Sequence, residues 1–369
     1  MYKEKVSIKQ FQFLVFTFGL GSYLLFNLGA ESKQDAWISS ILATILCIPC
    51  VIIYGKIMNC YPEKNIFQIL ELVFGKFLGS VFNVLMVIFP FLLGSYILND
   101  VVDFIRVTAL RNTPEYITII FICFLGMWML NLGIEVLSAW ANFIVRIILA
   151  FIFLAWILLA PQMQIVNMQP IFYSSFKSII KESVTMMAFP INQVVIFLNF
   201  CNYVRFNNKK LTYVFTKPII LSGILAVSFI ITNIMILGVN DYISSYYAGY
   251  ESAKRLTLGG EFQRVEIIVS ATFTIMQFLQ INYCLLGVGK GIEKLFNLNN
   301  YRDVLVPVGF LMMNFTYIIF RSSIRALEFA RELWIIYCFF MEVVLPMIIL
   351  LIIFIREKLV SNKNSYSAR

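Results

Sequence analysis

Residues 189–193 read Phe189-Pro190-Ile191-Asn192-Gln193, inside an apolar run, 183–204, long enough to cross a bilayer. Proline within a helix removes a backbone donor and clashes with the preceding turn. Asn192 and Gln193 at membrane depth need hydrogen-bond partners. A second interruption, Gly19-Leu20-Gly21-Ser22, stands in the first apolar run, 11–30. Each glycine there weakens a helix by about 1 kcal/mol. Gly and Pro are common in membrane helices, so either interruption alone reads as an ordinary kink. Their positions relative to the other apolar runs are what matter.

Working outward, ten apolar runs are drawn at 11–30, 36–58, 81–104, 116–132, 136–160, 183–204, 212–238, 265–289, 303–320 and 333–355. The interrupted runs are the first and the sixth. Each opens a set of five, which predicts two repeats, 11–160 and 183–355, within a single membrane domain spanning 1–369. An odd number of spans per repeat inserts the two halves with opposite topology. Breaks at corresponding places in two such halves point to an inverted-repeat transporter fold. The fold class read from the sequence is therefore all-α, with about ten transmembrane helices in a LeuT-like 5+5 arrangement. Between the second and third spans, 63–79 alternates apolar residues with Lys64, Glu71 and Lys76, which predicts an amphipathic helix at the interface. A second short amphipathic stretch falls within 161–182, and 239–264 is the longest loop.

Composition agrees. Of 369 residues, 60% are hydrophobic and 13% charged, and the mean hydropathy is +0.84. An ordinary soluble domain carries about 25% charged residues. These values exclude a soluble globular protein, a disordered chain and a disulfide scaffold, and leave no room for a soluble catalytic domain. Continuous apolar runs argue against a membrane barrel, whose strands alternate. The net charge of +9 follows membrane topology and does not imply nucleic acid. With an even span number both termini share a side. That side collects 17 Lys and Arg against 11 opposite, so both termini are expected in the cytoplasm. The basic start, MYKEKVSIKQ, leads into a run too long for a signal peptide and is read as an uncleaved first helix. There is no histidine, and the seven cysteines lie mostly within apolar runs. Cys47 and Cys50 form a lone CxxC in a hydrophobic helix and read as small buried hydrophobes, not as a metal or redox centre. No cofactor, metal or enzymatic activity is expected.

An unwound segment exposes backbone N–H and C=O groups that lipid cannot satisfy. Half-helix N-termini suit a carboxylate, and freed carbonyls suit an ammonium group. A small zwitterion fits such a pair. No acidic residue lies in spans one or six, so an amine there relies on carbonyls and hydroxyls. The candidate binding residues are Gly19, Gly21 and Ser22 from span one with Phe189, Pro190, Ile191 and Asn192 from span six. Ser95 and Tyr96 in span three are secondary candidates. The glycines allow close approach of backbone and ligand, and Phe189 and Ile191 shape a side-chain pocket.

At this point the chain resembles the GerB-type spore permease family, the membrane-embedded B subunits of nutrient germinant receptors, within the amino acid–polyamine–organocation superfamily. The resemblance is carried by Val6-Ser7-Ile8-Lys9-Gln10, Gln34-Asp35-Ala36-Trp37-Ile38, Tyr61-Pro62, Phe74-Gly75-Lys76, Thr113-Pro114, Gly133-Ile134-Glu135-Val136, Phe189-Pro190 and Arg264-Val265-Glu266, in this order over nearly the whole chain. Three positions depart from the family pattern. Ala139-Trp140 stand where an arginine is usual after the GxE, Gln193 where a glutamate often follows Phe-Pro, and Tyr250-Glu251 in place of Tyr-Pro. They bear on ligand preference and on any titratable group in span six. The resemblance implies a nutrient sensor in the spore inner membrane. It implies an amino acid or other small nutrient in the central site, and A and lipoprotein C subunits as partners. Ligand binding would then shift conformer populations and start germination.

Two charges fall within spans, Arg146 in span five and Glu342 in span ten. Intramembrane charge is functional by default. The two either pair between the halves, or Arg146 acts as a fixed cation in place of a coupling ion, or both serve structural or snorkelling roles. Arginine does not deprotonate in a protein. Asp100 and Asp103 with Arg106 and Arg111 read as an interfacial cluster, and Lys290 as an anchor. Ser270, Thr272 and Thr274 either line the core or hydrogen-bond their own helix. A secondary amino acid transporter and a structural scaffold remain competing functional readings.

Overall fold

The computed structural model describes residues 4–204, 212–255, 265–320 and 334–367. Helix α1, Ile8–Leu20, starts at a capping box in which the Ser7 hydroxyl accepts from the Gln10 N–H and the Gln10 side chain accepts from the Ser7 N–H. It stops after 13 residues, and the chain continues as a tighter turn, Gly21–Leu24. A 3₁₀ segment, Ala30–Asp35, leads into α2, Ala36–Cys60. Helix α3 runs from Ile66 to Thr108. Its 43 residues include the expected amphipathic stretch, joined to the third span across Gly75 at φ 80°, ψ 174°. Such dihedrals are open to glycine and costly for other residues. The chain turns there, with Ile66, Phe67, Ile69 and Leu70 buried before the corner and Phe77 82% exposed after it.

Helices α4, Glu115–Leu132, and α5, Ile134–Leu159, follow across a tight turn at Gly133. Helix α6, Phe176–Met186, begins at Ser175, whose hydroxyl accepts from the Ser178 N–H at 3.2 Å. It continues through a π turn, Met187–Ile191, into a 3₁₀ stretch, Asn192–Tyr203. Residues 176–182, drawn from the sequence as part of a separate amphipathic stretch, are thus the first half of the broken sixth helix. They bury Ile179 and Glu182. Helix α7 is Thr212–Leu237. The loop expected after it contains two short helices, α8, Val239–Ser244, and α9, Ala248–Lys254; residues 256–264, with Arg264 of the family pattern, lie outside the described residues. Helices α10, Val265–Leu295, and α11, Leu305–Ile319, follow. Arg321, Arg325 and Arg331 also lie outside the described residues. The last span comprises α12, Ile335–Phe339, a π turn at Phe340–Val344, and α13, Leu345–Ser367.

Among the described residues, nine helices are long and apolar enough to cross a membrane. The protein is an integral membrane protein. The tenth expected span is α1 with its continuation, which falls short because the α-helix ends at Leu20 and passes into a short 3₁₀ turn. The two broken helices occupy the centre. Phe176–Tyr203 is the most buried of the nine spans. The start of α1 meets the end of span six where the Val6 N–H donates to the Tyr203 carbonyl at 2.8 Å. Phe197 packs edge-on against Phe11 and Phe18 with ring centroids 5.5 and 5.7 Å apart. Around this pair, α10 packs most extensively on α3, and α2 on α7.

Candidate functional site

At the first break the Phe18 carbonyl accepts from the Gln280 side-chain amide of α10 at 2.7 Å. A freed backbone acceptor at membrane depth has thereby found a neutral, flexible donor. Gly21 makes room for it, since a Cβ at residue 21 would lie 2.6 Å from Gln280 Nε2. Gly19 lies against α7, where a Cβ would stand 2.9 Å from the Ser222 hydroxyl. Thr17 bonds back to the Leu14 carbonyl at 2.7 Å and lies 3.0 Å from the Tyr283 hydroxyl. Ser22 is buried beyond the break.

The second break departs from helix at Phe189, φ −145°, ψ 115°. Its polar residues are tied to the outer helices. The Asn192 Oδ1 accepts from the Cys47 thiol at 3.3 Å and from the Tyr54 hydroxyl at 3.1 Å. The Tyr54 hydroxyl also lies 2.5 Å from the Glu342 backbone carbonyl, in the π turn of the last span. Gln193 reaches the Cys338 sulfur at 3.9 Å. Residues of span two, the sixth-helix break and the last span thus form one buried polar seam. It leaves the Asn192 Nδ2 and both Glu342 carboxylate oxygens without hydrogen-bond partners. Half of the sequence's CxxC joins this seam, through Cys47.

Pro190 and Ile191 are buried at the break. The Phe189 ring stands edge-on to Tyr96 at 5.9 Å, and Tyr96 edge-on to Phe320 at 5.7 Å. The Ser95 hydroxyl is bonded within its own helix, to the Phe91 carbonyl at 2.8 Å, which suits a packing role. Phe189 also lines a vestibule of about 440 Å³ whose polar lining includes Asn27, Glu31, Lys181 and Glu182, with Glu31 and Lys181 paired at 2.7 Å. The segment around α8 and α9 closes over the far half of the first broken helix. Gly249 donates to the Leu25 carbonyl at 3.0 Å, Tyr242 to that of Leu28 at 2.6 Å, and Asn27 donates to that of Ile243 at 3.0 Å.

The two intramembrane charges do not meet. Arg146 is exposed on α5, whereas Glu342 is wholly buried. Arg106 pairs with Asp103 and Glu115, and Lys290 pairs with Glu293 at 2.5 Å. Ser270 and Thr274 bond to their own helix at 2.6 and 2.9 Å, and Thr272 is buried without a partner. Sequence reasoning missed Gln277 and Gln280. Both are buried three residues apart in an apolar helix, and Gln277 leaves both amide atoms unpartnered. That spacing on one helical face is the signal that was available. Among the described residues no group of His, Cys, Asp or Glu has the arrangement of a metal site.

Two crossing broken helices, packed within an outer shell of long spans, define the class: a helical membrane protein of the LeuT fold. MhsT, solved in complex with L-phenylalanine, matches at a TM-score of 0.60 and 10% identity, covering 96% of this chain and 99% of that one. Mhp1, a nucleobase-cation-symport-1 family transporter solved in a closed conformation with bromovinylhydantoin bound, matches at 0.60 and 10% identity over 88% and 74%. The chain belongs to the spore permease family of spore germination proteins, whose family model matches residues 5–325. Spore germination protein KB of Bacillus subtilis (strain 168) is 22% identical over 313 residues, 84% of this chain and 83% of that one. The putative spore germination protein YfkT of the same organism is 22% identical over 325 residues, 88% of each chain.

Proposed function

We propose that this chain is the B subunit of a spore germinant receptor that binds a small nutrient, an amino acid, between the two helix breaks. The observation that carries the reading is the Phe18 carbonyl held by Gln280 at 2.7 Å. A neutral amide is a replaceable partner, and a ligand ammonium makes a stronger, charge-assisted bond to the same acceptor. The backbone around Gly19, Gly21 and Ser22 then holds the zwitterion's charged end. Phe189, Pro190, Ile191 and Tyr96 line its side chain, with Ser95 behind them. The vestibule is the entry path, and its paired Glu31 and Lys181 offer complementary charge to a zwitterion. The aromatic lining suits an apolar amino acid, in keeping with the L-phenylalanine held by MhsT.

Asn192, through Tyr54, couples the second break to the last span, which carries the buried Glu342 carboxyl on that side. The repeats 11–160 and 183–355 are the two bodies whose relative population shift reports the ligand. The signal passes to A and lipoprotein C subunits in the spore inner membrane, both termini facing the core. Secondary active amino acid transport is the second reading, favoured by the fold shared with the symport-family transporter Mhp1. The deciding experiment is germination of spores deleted for this gene, nutrient by nutrient, together with labelled uptake into vesicles carrying the protein. Loss of one nutrient response without uptake is expected. Normal germination with saturable, gradient-driven uptake would establish the transporter.

A further inference from the structure

Beside the first helix, away from the breaks, a groove of about 380 Å³ opens between α1, α5 and α7. Its walls are Phe13, Phe16, Leu149 and Leu221, and its rim carries Lys9 and Lys217. Among the described residues no carboxylate lines it. Both lysines are exposed, and both stand near the starts of their helices, in the first turn of α1 and the second of α7. These starts lie at one end of the molecule: the Lys5 N–H donates to Glu135, in the first turn of α5, at 2.7 Å, and the Gln12 side chain donates to the Tyr213 carbonyl, in the first turn of α7, at 3.2 Å. The groove therefore runs from a basic rim at the end of the helices into an apolar wall along the span.

Arg146 belongs to the same arrangement. It lies one turn before Leu149 on α5, on the side toward that helix's start, so the two are neighbours on one face. It is exposed within an otherwise uncharged span, 136–160. A bare guanidinium facing hydrocarbon is costly and reaches along its flexible stem toward the headgroup layer. Neither Lys9, Lys217 nor Arg146 has an ion-pair partner among the described residues. Three cations and an apolar channel, with no anion beside them among the described residues, leave the countercharge to come from the bilayer.

We propose that this groove binds an anionic phospholipid, its phosphate held by Lys9 and Lys217 with Arg146 reaching toward it, and an acyl chain laid along Phe13, Phe16 and Leu149. A headgroup carrying net negative charge matches the unopposed rim. A choline headgroup would bring a cation to it.

The test uses the purified full-length protein, with bound phosphatidylglycerol and phosphatidylcholine quantified by native mass spectrometry after equilibration with mixed vesicles. Phosphatidylglycerol should be retained in preference, and the double variant K9Q/K217Q should weaken its retention about 25-fold, at roughly fivefold per lysine near a membrane surface. Arg146→Gln should weaken it about fivefold. Leu149→Trp, which fills the channel and leaves every charge, should also displace the lipid. Lys177→Gln, an exposed lysine on α6, should change nothing. Size-exclusion profiles confirm that each variant is folded. Undiminished retention by the double variant, equal retention of phosphatidylcholine, or displacement of the lipid by inorganic phosphate alone would overturn the proposal.

Discussion

At the scale of single residues, Gly21 and Gln280 make one joint. A side chain at 21 displaces the Gln280 amide from its place, because even a Cβ would stand 2.6 Å from the end of that flexible side chain. Gly21→Leu is expected to abolish the nutrient response while the protein remains in the membrane at normal abundance, as read by germination assay and immunoblot; unchanged germination at matched abundance would remove Gly21 from the site. Gln280→Ala leaves the Phe18 carbonyl buried and unpaired, at about 1–3 kcal/mol. Thermal unfolding of the purified protein should show that loss. An amine-bearing ligand should restore part of it, since the ligand then supplies the missing donor. Tyr54→Phe removes a hydroxyl that holds both Asn192 and the last span. It should cost about 0.5–1.5 kcal/mol in the same measurement and blunt the response to ligand without altering membrane insertion.

At the scale of elements, the corner in α3 depends on glycine. Nothing stands within 4 Å of a Cβ placed at Gly75, so a larger residue meets no neighbour there. The whole penalty of Gly75→Val is backbone strain, expected at about 1–3 kcal/mol and visible as a lowered Tm. A Tm equal to the parent would mean that the corner tolerates other dihedrals. Gly249 is the opposite case, because a Cβ there would lie 2.2 Å from the Leu24 carbonyl oxygen. Its constraint is contact with the first broken helix.

The elements also show what sequence reading reached. The broken first and sixth helices were legible because Gly19-Leu20-Gly21-Ser22 and Phe189-Pro190 break local rules inside apolar runs. The joining of 176–182 to the sixth helix was not. Its amphipathic pattern resembles a surface segment, and only packing shows Ile179 and Glu182 buried.

At the scale of the whole molecule, charge asymmetry predicts the orientation. If the basic face is cytoplasmic, a cysteine placed at Lys358, exposed on the last helix, is labelled by a membrane-impermeant maleimide only after permeabilisation. One at Lys177, on α6, is labelled from outside. The reverse pattern would invert the topology. Background should be low, because Cys47, Cys50, Cys123, Cys201, Cys284 and Cys338 are buried and only Cys60 is intermediate.

Some properties of this protein follow from sequence alone. Long apolar runs commit it to the bilayer, where each backbone group must be satisfied within a helix. Two misfit segments locate the places where that rule fails. Those are local properties, written in neighbouring residues. The partners of the broken segments are not local. That Gln280 answers Phe18, that Cys47 and Tyr54 hold Asn192, and that Arg146 and Glu342 stand apart were decided by tertiary structure. A polar side chain in an apolar run shows that it needs a partner, and only the packing of distant helices decides which one it meets.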